Sequence, residues 1–286
     1  MDFMENISIV DAHIHLWDLQ KLNYPWLKNF PKINRSFLLN NYFKATKGID
    51  VEKMVFVQAE CTPSQFMGEV KWIQALADKN KKLCGIVPWA PIHTGNNVAH
   101  ILEEFKKDQR IKGVRQLIEP ERDTDFCLHP KFVEGVQLLG AYGLHFELTI
   151  GPEHFPSVIK LVERCPNTSF ILDHIGNPNI LKKQLEPWKS HLKRFADSGP
   201  HYCKFSNLVC NAELDIWDIE DLRPYAEAVI EIFGAERLIW GSDWPHALRA
   251  TSWSKWFQTS IVLTNGLSFE DRLAIFRNNA IHFYKL

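Results

Sequence analysis

The sequence predicts an α/β fold, a single (β/α)8 barrel of parallel strands running through residues 1–286. Eight short runs rich in β-branched and aromatic residues, at 8–12, 54–59, 83–88, 111–117, 144–150, 170–172, 202–206 and 238–241, alternate with longer amphipathic stretches. That alternation is the signature of consecutive βαβ units. The runs start roughly 25 to 45 residues apart, about what a strand, a crossover helix and two loops require. The chain length of 286 is close to the roughly 250 residues typical of a closed eight-stranded barrel.

Helices are expected between the strands. Residues 64–79 place Phe66, Val70, Ile73 and Leu76 at helical spacing, and 98–105 do the same with Val98, Ile101, Leu102 and Phe105, so each presents one apolar stripe to the sheet. Ser268 with Asp271 three residues later forms a capping-box pattern ahead of Leu273, Ile275 and Phe276, which predicts a docked C-terminal helix. The irregular segments at 17–50, 119–130 and 177–187 read as long strand-to-helix loops. In a barrel such loops build the active-site face.

Composition narrows the partner. Lys and Arg total 33 against 34 Asp and Glu, so no global field draws the chain to nucleic acid or to an anionic membrane. A small-molecule substrate is the expected partner. No apolar stretch approaches the roughly 20 residues that span a bilayer. The acidic start lacks the basic segment and apolar run of a secretory signal, and the six cysteines are scattered with no CxxC pair, as expected of reduced thiols in a cytoplasmic protein. Oligomeric state is not legible.

His13 and His15 stand two apart at the end of the first strand, so alternation should turn both imidazoles into the barrel mouth. Twelve histidines in 286 residues produce about 0.5 His-x-His pairs by chance, so position carries the weight. Two imidazoles aimed into an apolar barrel are costly to bury without a metal, water or substrate. The sixth strand delivers Asp173 and His174 at its tip and the eighth delivers Asp243; in a parallel barrel all strand tips share one face. The structural alternatives are a helix-capping role for either aspartate and a satisfied core histidine. His13, His15, His174 and Asp243 together form an N3O set able to hold one divalent ion, zinc or manganese.

Arg115 and Lys204 are read as strand-tip cations that clamp an acidic or hydroxylated substrate. The alternative is that each pairs with a carboxylate such as Glu60 or Glu147. Trp17 and Trp244, with Trp26 and Trp89, are placed to stack on a sugar ring or lactone, against the alternative of loop packing.

The runs DAHIHLWD, YPWL, QAE, KGVRQL, LDHIGNP, CKFSNL and GSDWP together resemble, in this order, metal-dependent hydrolases of the amidohydrolase-2 group. Within that group the chain is similar to the sugar-lactonase branch of fuconolactonases and pyrone-dicarboxylate lactonases. The resemblance implies the barrel, lactone hydrolysis, and Asp243 as the residue that activates water; His174, with His15 and a bound ion or Arg115, is expected to polarise the carbonyl. This chain departs from the binuclear pattern: Arg115 stands where a bridging lysine or glutamate belongs at strand four, and strand five ends in Glu147, Leu148, Thr149 and Ile150 with no histidine. His145 begins that strand, at the wrong end for chemistry. One ion at most is expected, with a metal-independent enzyme as the alternative. The rival functions are an aromatic-acid decarboxylase on the same barrel, a metal-dependent nuclease, which near-neutral charge disfavours, and a degenerate binding barrel.

Overall fold

The computed structural model describes residues 7–286. Eight strands follow in chain order: β1 (Ile9–Ile14), β2 (Val51–Val57), β3 (Leu83–Val87), β4 (Gly113–Arg115), β5 (His145–Leu148), β6 (Phe170–Leu172), β7 (Tyr202–Phe205) and β8 (Leu238–Trp240). All neighbouring pairs are parallel and run in sequence order, as one arc of β1 to β3 and another of β4 to β8. Parallel bridges Ile86–Ile111 and Ile14–Trp244 join the arcs at both seams. Backbone hydrogen bonds reinforce them: Arg115 N to Pro88 O at 3.0 Å on one side, Asp243 N to His13 O at 2.9 Å and His15 N to Trp244 O at 2.7 Å on the other. The ring is a (β/α)8 barrel.

Boundaries differ from expectation where loops take over ladder bonds. β1 runs two residues further than predicted, to Ile14, because its last turn pairs with the segment after β8. The predicted stretch 64–79 divides into a short turn, Pro63–Gln65, and the helix Phe66–Lys79, which buries Val70 and Ile73. Ser268 Oγ accepts from Asp271 N at 3.1 Å and caps the helix Phe269–Leu273. The segment 17–50 is not irregular throughout, since it contains the helix Leu39–Ala45 and a Trp17–Phe37 bridge. Among the described residues no helix is long and apolar enough to cross a membrane.

Two apolar regions flank the barrel wall. The larger one packs helices onto the outside; the smaller one, Val10, Ala12, Val55, Val57, Val87, Ile171 and Ile239, fills the interior together with Ala280 and Tyr284 of the C-terminal helix. Tyr284 Oη donates to Glu147 Oε1 at 2.8 Å, linking this plug to a buried polar column that leads up to the strand tips. His145, the first residue of β5, is packed at that lower end between Phe283 and Tyr284.

Candidate active site

His13 and His15 converge at the mouth, with their Nε2 atoms 3.2 Å apart. Alternation alone does not place them, because the β1–β2 register shifts between Asp11 and Ile14. Asp11 helps hold this irregular stretch, since its carboxylate accepts from Ser242 N at 2.8 Å, Tyr42 Oη at 2.8 Å and Trp253 Nε1 at 3.0 Å. It ties the strand bearing the histidines to the turn bearing Asp243.

The hydrogen bonds constrain the imidazoles. Val57 O can only accept, so His15 Nδ1, at 2.8 Å, carries the hydrogen and the neutral ring presents a lone pair at Nε2. That lone pair faces Asp243 Oδ1 at 3.0 Å. Burial lowers the His15 pKa against the pull of Asp243, which favours the neutral ring. His174 Nδ1 pairs with Ser206 Oγ at 2.8 Å, leaving Nε2 for the cluster; burial brings its pKa down to about 4 despite Asp243 and Asp173.

Burial pushes the Asp243 carboxyl up, but its neighbours His246 and His174 and the hydrogen bond that His246 Nδ1 donates outweigh it and hold the group well below the carboxylate range. Its Oδ2 lies 2.8 Å from His246 Nδ1, and His246 Nε2 lies 2.8 Å from Arg249 Nη1. Burial lowers the His246 pKa and Asp243 more than reverses this, to about 10. The guanidinium works the other way: it only donates, so its contact requires a lone pair on Nε2 and a hydrogen on Nδ1. The geometry therefore favours the neutral ring, with Nδ1–H donating to Asp243.

A cavity of about 530 Å³ opens above this cluster, lined by His15, Arg115, His174 and Asp243 from the strand tips. Loop residues complete it, including Glu60, Glu119, Asn177, Asn207, His246 and Arg249. Glu60, His174, Asn177, Asn207 and Asp243 all have positive φ. Left-handed backbone at non-glycine residues concentrates where a surrounding structure holds side chains at a functional surface, and here five such residues share one cavity.

The other predicted site residues are placed differently. Lys204 does not line the cavity: it is an inward-pointing mid-strand residue of β7, fully buried, with Nζ 2.6 Å from Glu147 Oε2, 3.1 Å from Asp173 Oδ1 and 3.0 Å from His13 Nδ1. The substrate-clamp reading of Lys204 is corrected, because its ammonium is enclosed by protein acceptors. Arg115 reaches the cavity wall but is also engaged, donating to Gln58 O at 2.6 Å and lying 3.4 Å from Asp173 Oδ2. Its carboxylate neighbour is Asp173, not Glu60 or Glu147. Trp17 is buried with its indole N–H on Arg35 O at 2.6 Å, and Trp244 packs edge-on against Phe37 and Tyr42. Neither lines the cavity, so both are packing residues; Trp26 does line it. Glu60, which ends the QAE run, entered the sequence reading only as an ion-pair partner, His246, next after GSDWP, was not singled out, and Glu119 and Arg249 carry no local signal.

The amidohydrolase family model, Amidohydro_2, matches residues 10–286. The chain belongs to the amidohydrolase family. This amidohydrolase is 28% identical over 300 residues to the uncharacterized protein y4mH of Sinorhizobium fredii, covering 99% of this chain and all of that one. It is 26% identical over 284 residues to the L-fucono-1,5-lactonase of Burkholderia ambifaria, covering 97% of this chain and 95% of the relative. Its fold matches the crystal structure of a Burkholderia multivorans amidohydrolase with bound zinc at a TM-score of 0.89 and 24% identity, over 98% of this chain and 100% of that one.

The donor set of this amidohydrolase fits a divalent ion. Ligand atoms of His13, His174 and Asp243 lie within 4.8 Å of one another. The separation His15 Nε2–Asp243 Oδ1 of 3.0 Å is close to one edge of a tetrahedron with bonds of about 2.0–2.1 Å, whereas His13, 3.2 Å from His15 Nε2, accepts from Lys204 Nζ at Nδ1 and so carries its hydrogen on Nε2. The His15 lone pair and the Asp243 carboxylate face each other with no hydrogen between them, an arrangement that a cation relieves.

Proposed function

We propose that this amidohydrolase opens a small polyhydroxylated lactone of the sugar-acid type, with Asp243 taking the proton from the attacking water. The observation that carries this reading is Asp243 itself, an ionised carboxylate on the cavity floor between His15 and His246. Its low pKa keeps it ionised and so able to take a proton, which is then returned to the departing ring oxygen. Arg115 and His174, on the same wall, would stabilise the carbonyl oxygen as it gains charge. A divalent ion held by His15, His174 and Asp243 would supply Lewis acidity and a more acidic water.

The cavity chemistry favours hydroxyl groups over carboxylates. Glu60 and Glu119 repel an anionic substituent, while Asn177 and Asn207 offer amide contacts. Asn207 Oδ1 is buried without a hydrogen-bond partner, an acceptor that a substrate hydroxyl would satisfy. The L-fucono-1,5-lactonase relative supports the same substrate class.

Proton release from a panel of sugar-acid and dicarboxylic-acid lactones, with and without chelator, tests the reading. Turnover of sugar-acid lactones with poor use of dicarboxylic ones is expected. Carbon dioxide release from an aromatic acid, with no lactone turned over, would replace it with the decarboxylase.

A further inference from the structure

Beneath the His15–Asp243 pair lies a second group of metal-ligating side chains. His13, Glu147 and Asp173 present ligand atoms within 4.8 Å of one another, and all three are fully buried. Two buried carboxylates this close require positive charge. Lys204 supplies it: its Nζ contacts Glu147, Asp173 and His13 at 2.6, 3.1 and 3.0 Å, one contact for each of the three ligands a metal ion would use.

We propose that Lys204 is the resident cation of this lower site and that its ammonium limits the chain to one exchangeable metal ion. The ammonium donates to Glu147 Oε2 and to His13 Nδ1 and stands against Asp173 Oδ1 as an ion pair, and a divalent ion added beside it would leave like charges in contact. The remaining acceptors are engaged from elsewhere, with Glu147 Oε1 receiving Tyr284 Oη at 2.8 Å and Asp173 Oδ2 receiving Thr149 Oγ1 at 2.7 Å. Asp173 Oδ1, although buried, has no aligned hydrogen bond. It is held near Lys204 by charge and remains available as a ligand oxygen. The proposal does not depend on which reaction the upper cavity performs.

The test is Lys204→Met, which removes the ammonium while keeping an unbranched apolar stem. Parent and variant are freed of metal and equilibrated with zinc alone, and bound zinc and the thermal midpoint are measured. The variant is expected to bind one more equivalent of zinc per chain than the parent and to gain more thermal stability from zinc. A variant that folds only when produced with zinc, at that additional equivalent, gives the same support. Equal stoichiometry in parent and variant overturns the proposal, as does a variant that stays unfolded at millimolar zinc. In Lys204→Met/Glu147→Gln the additional equivalent should disappear; its persistence would place the ion elsewhere and overturn the assignment.

Discussion

His15 Nε2 stands 3.0 Å from Asp243 Oδ1 while its Nδ1 hydrogen is given to Val57 O, so a lone pair and a carboxylate are held face to face. A cation between them converts that repulsion into binding. Zinc added to metal-free protein is therefore expected to bind at one equivalent and to raise the thermal midpoint, by linkage worth about 4 kcal/mol at a thousandfold excess over Kd. Metal analysis with thermal melts checks this, and two equivalents in the parent would contradict it.

Asp243→Asn should lower kcat by on the order of 10²-fold or more, the scale for loss of a positioned general base, with the thermal midpoint of the metal-free protein little changed. The amide is nearly isosteric and can still accept from His246. Steady-state kinetics on a sugar-acid lactone decide the matter; activity within a few-fold of the parent would remove Asp243 from the chemistry.

Glu60 and Glu119 both line the cavity, so Glu60→Gln/Glu119→Gln should shift selectivity toward acidic lactones. The expected change in the ratio of kcat/KM for dicarboxylic over sugar-acid lactones is about tenfold, a difference of about 1.4 kcal/mol in transition-state binding. An unchanged ratio would show that these carboxylates do not read the substrate.

Stability should fall with pH through Glu69. This buried side chain of the helix Phe66–Lys79 accepts from Tyr24 Oη at 3.1 Å. Burial, only partly offset by that hydrogen bond and one from Ala59 N, pushes its pKa from 4.5 up to about 8. The folded chain therefore holds a proton that the unfolded chain releases between these values. The resulting stability is full below pH 4.5 and is lost as pH rises through 8. Glu69→Gln retains an acceptor oxygen and should flatten this dependence, leaving the variant more stable than the parent at pH 8.5. Thermal midpoints from pH 5 to 8.5 measure it, and parallel curves for the two proteins would exclude Glu69 as the cause.

Much of the architecture is written in local pattern. Apolar runs such as those around Val55 and Ile171 and the stripe of Val70 and Ile73 specify strands and helices through side-chain periodicity, which needs no partner to be read. Strand-tip residues were legible for the same reason: once eight parallel strands are counted, His15, His174 and Asp243 must reach one face, and the structure brings them together.

The tertiary structure decided what each charge and ring meets. Lys204 and Arg115 look alike in sequence as cations at strand tips, yet Arg115 reaches the cavity and Lys204 is closed off below it by Glu147, Asp173 and His13. The difference lies in depth along the barrel axis, set by registers across several strands. Trp17 and Trp244 were drawn into loop packing by Phe37 and Tyr42, neighbours brought by a distant segment. Glu119 and Arg249 lie on loops whose paths follow from the packing beneath them. Periodicity is a property of a few consecutive residues, whereas burial, pairing and electrostatic environment belong to groups that meet only when the chain closes on itself.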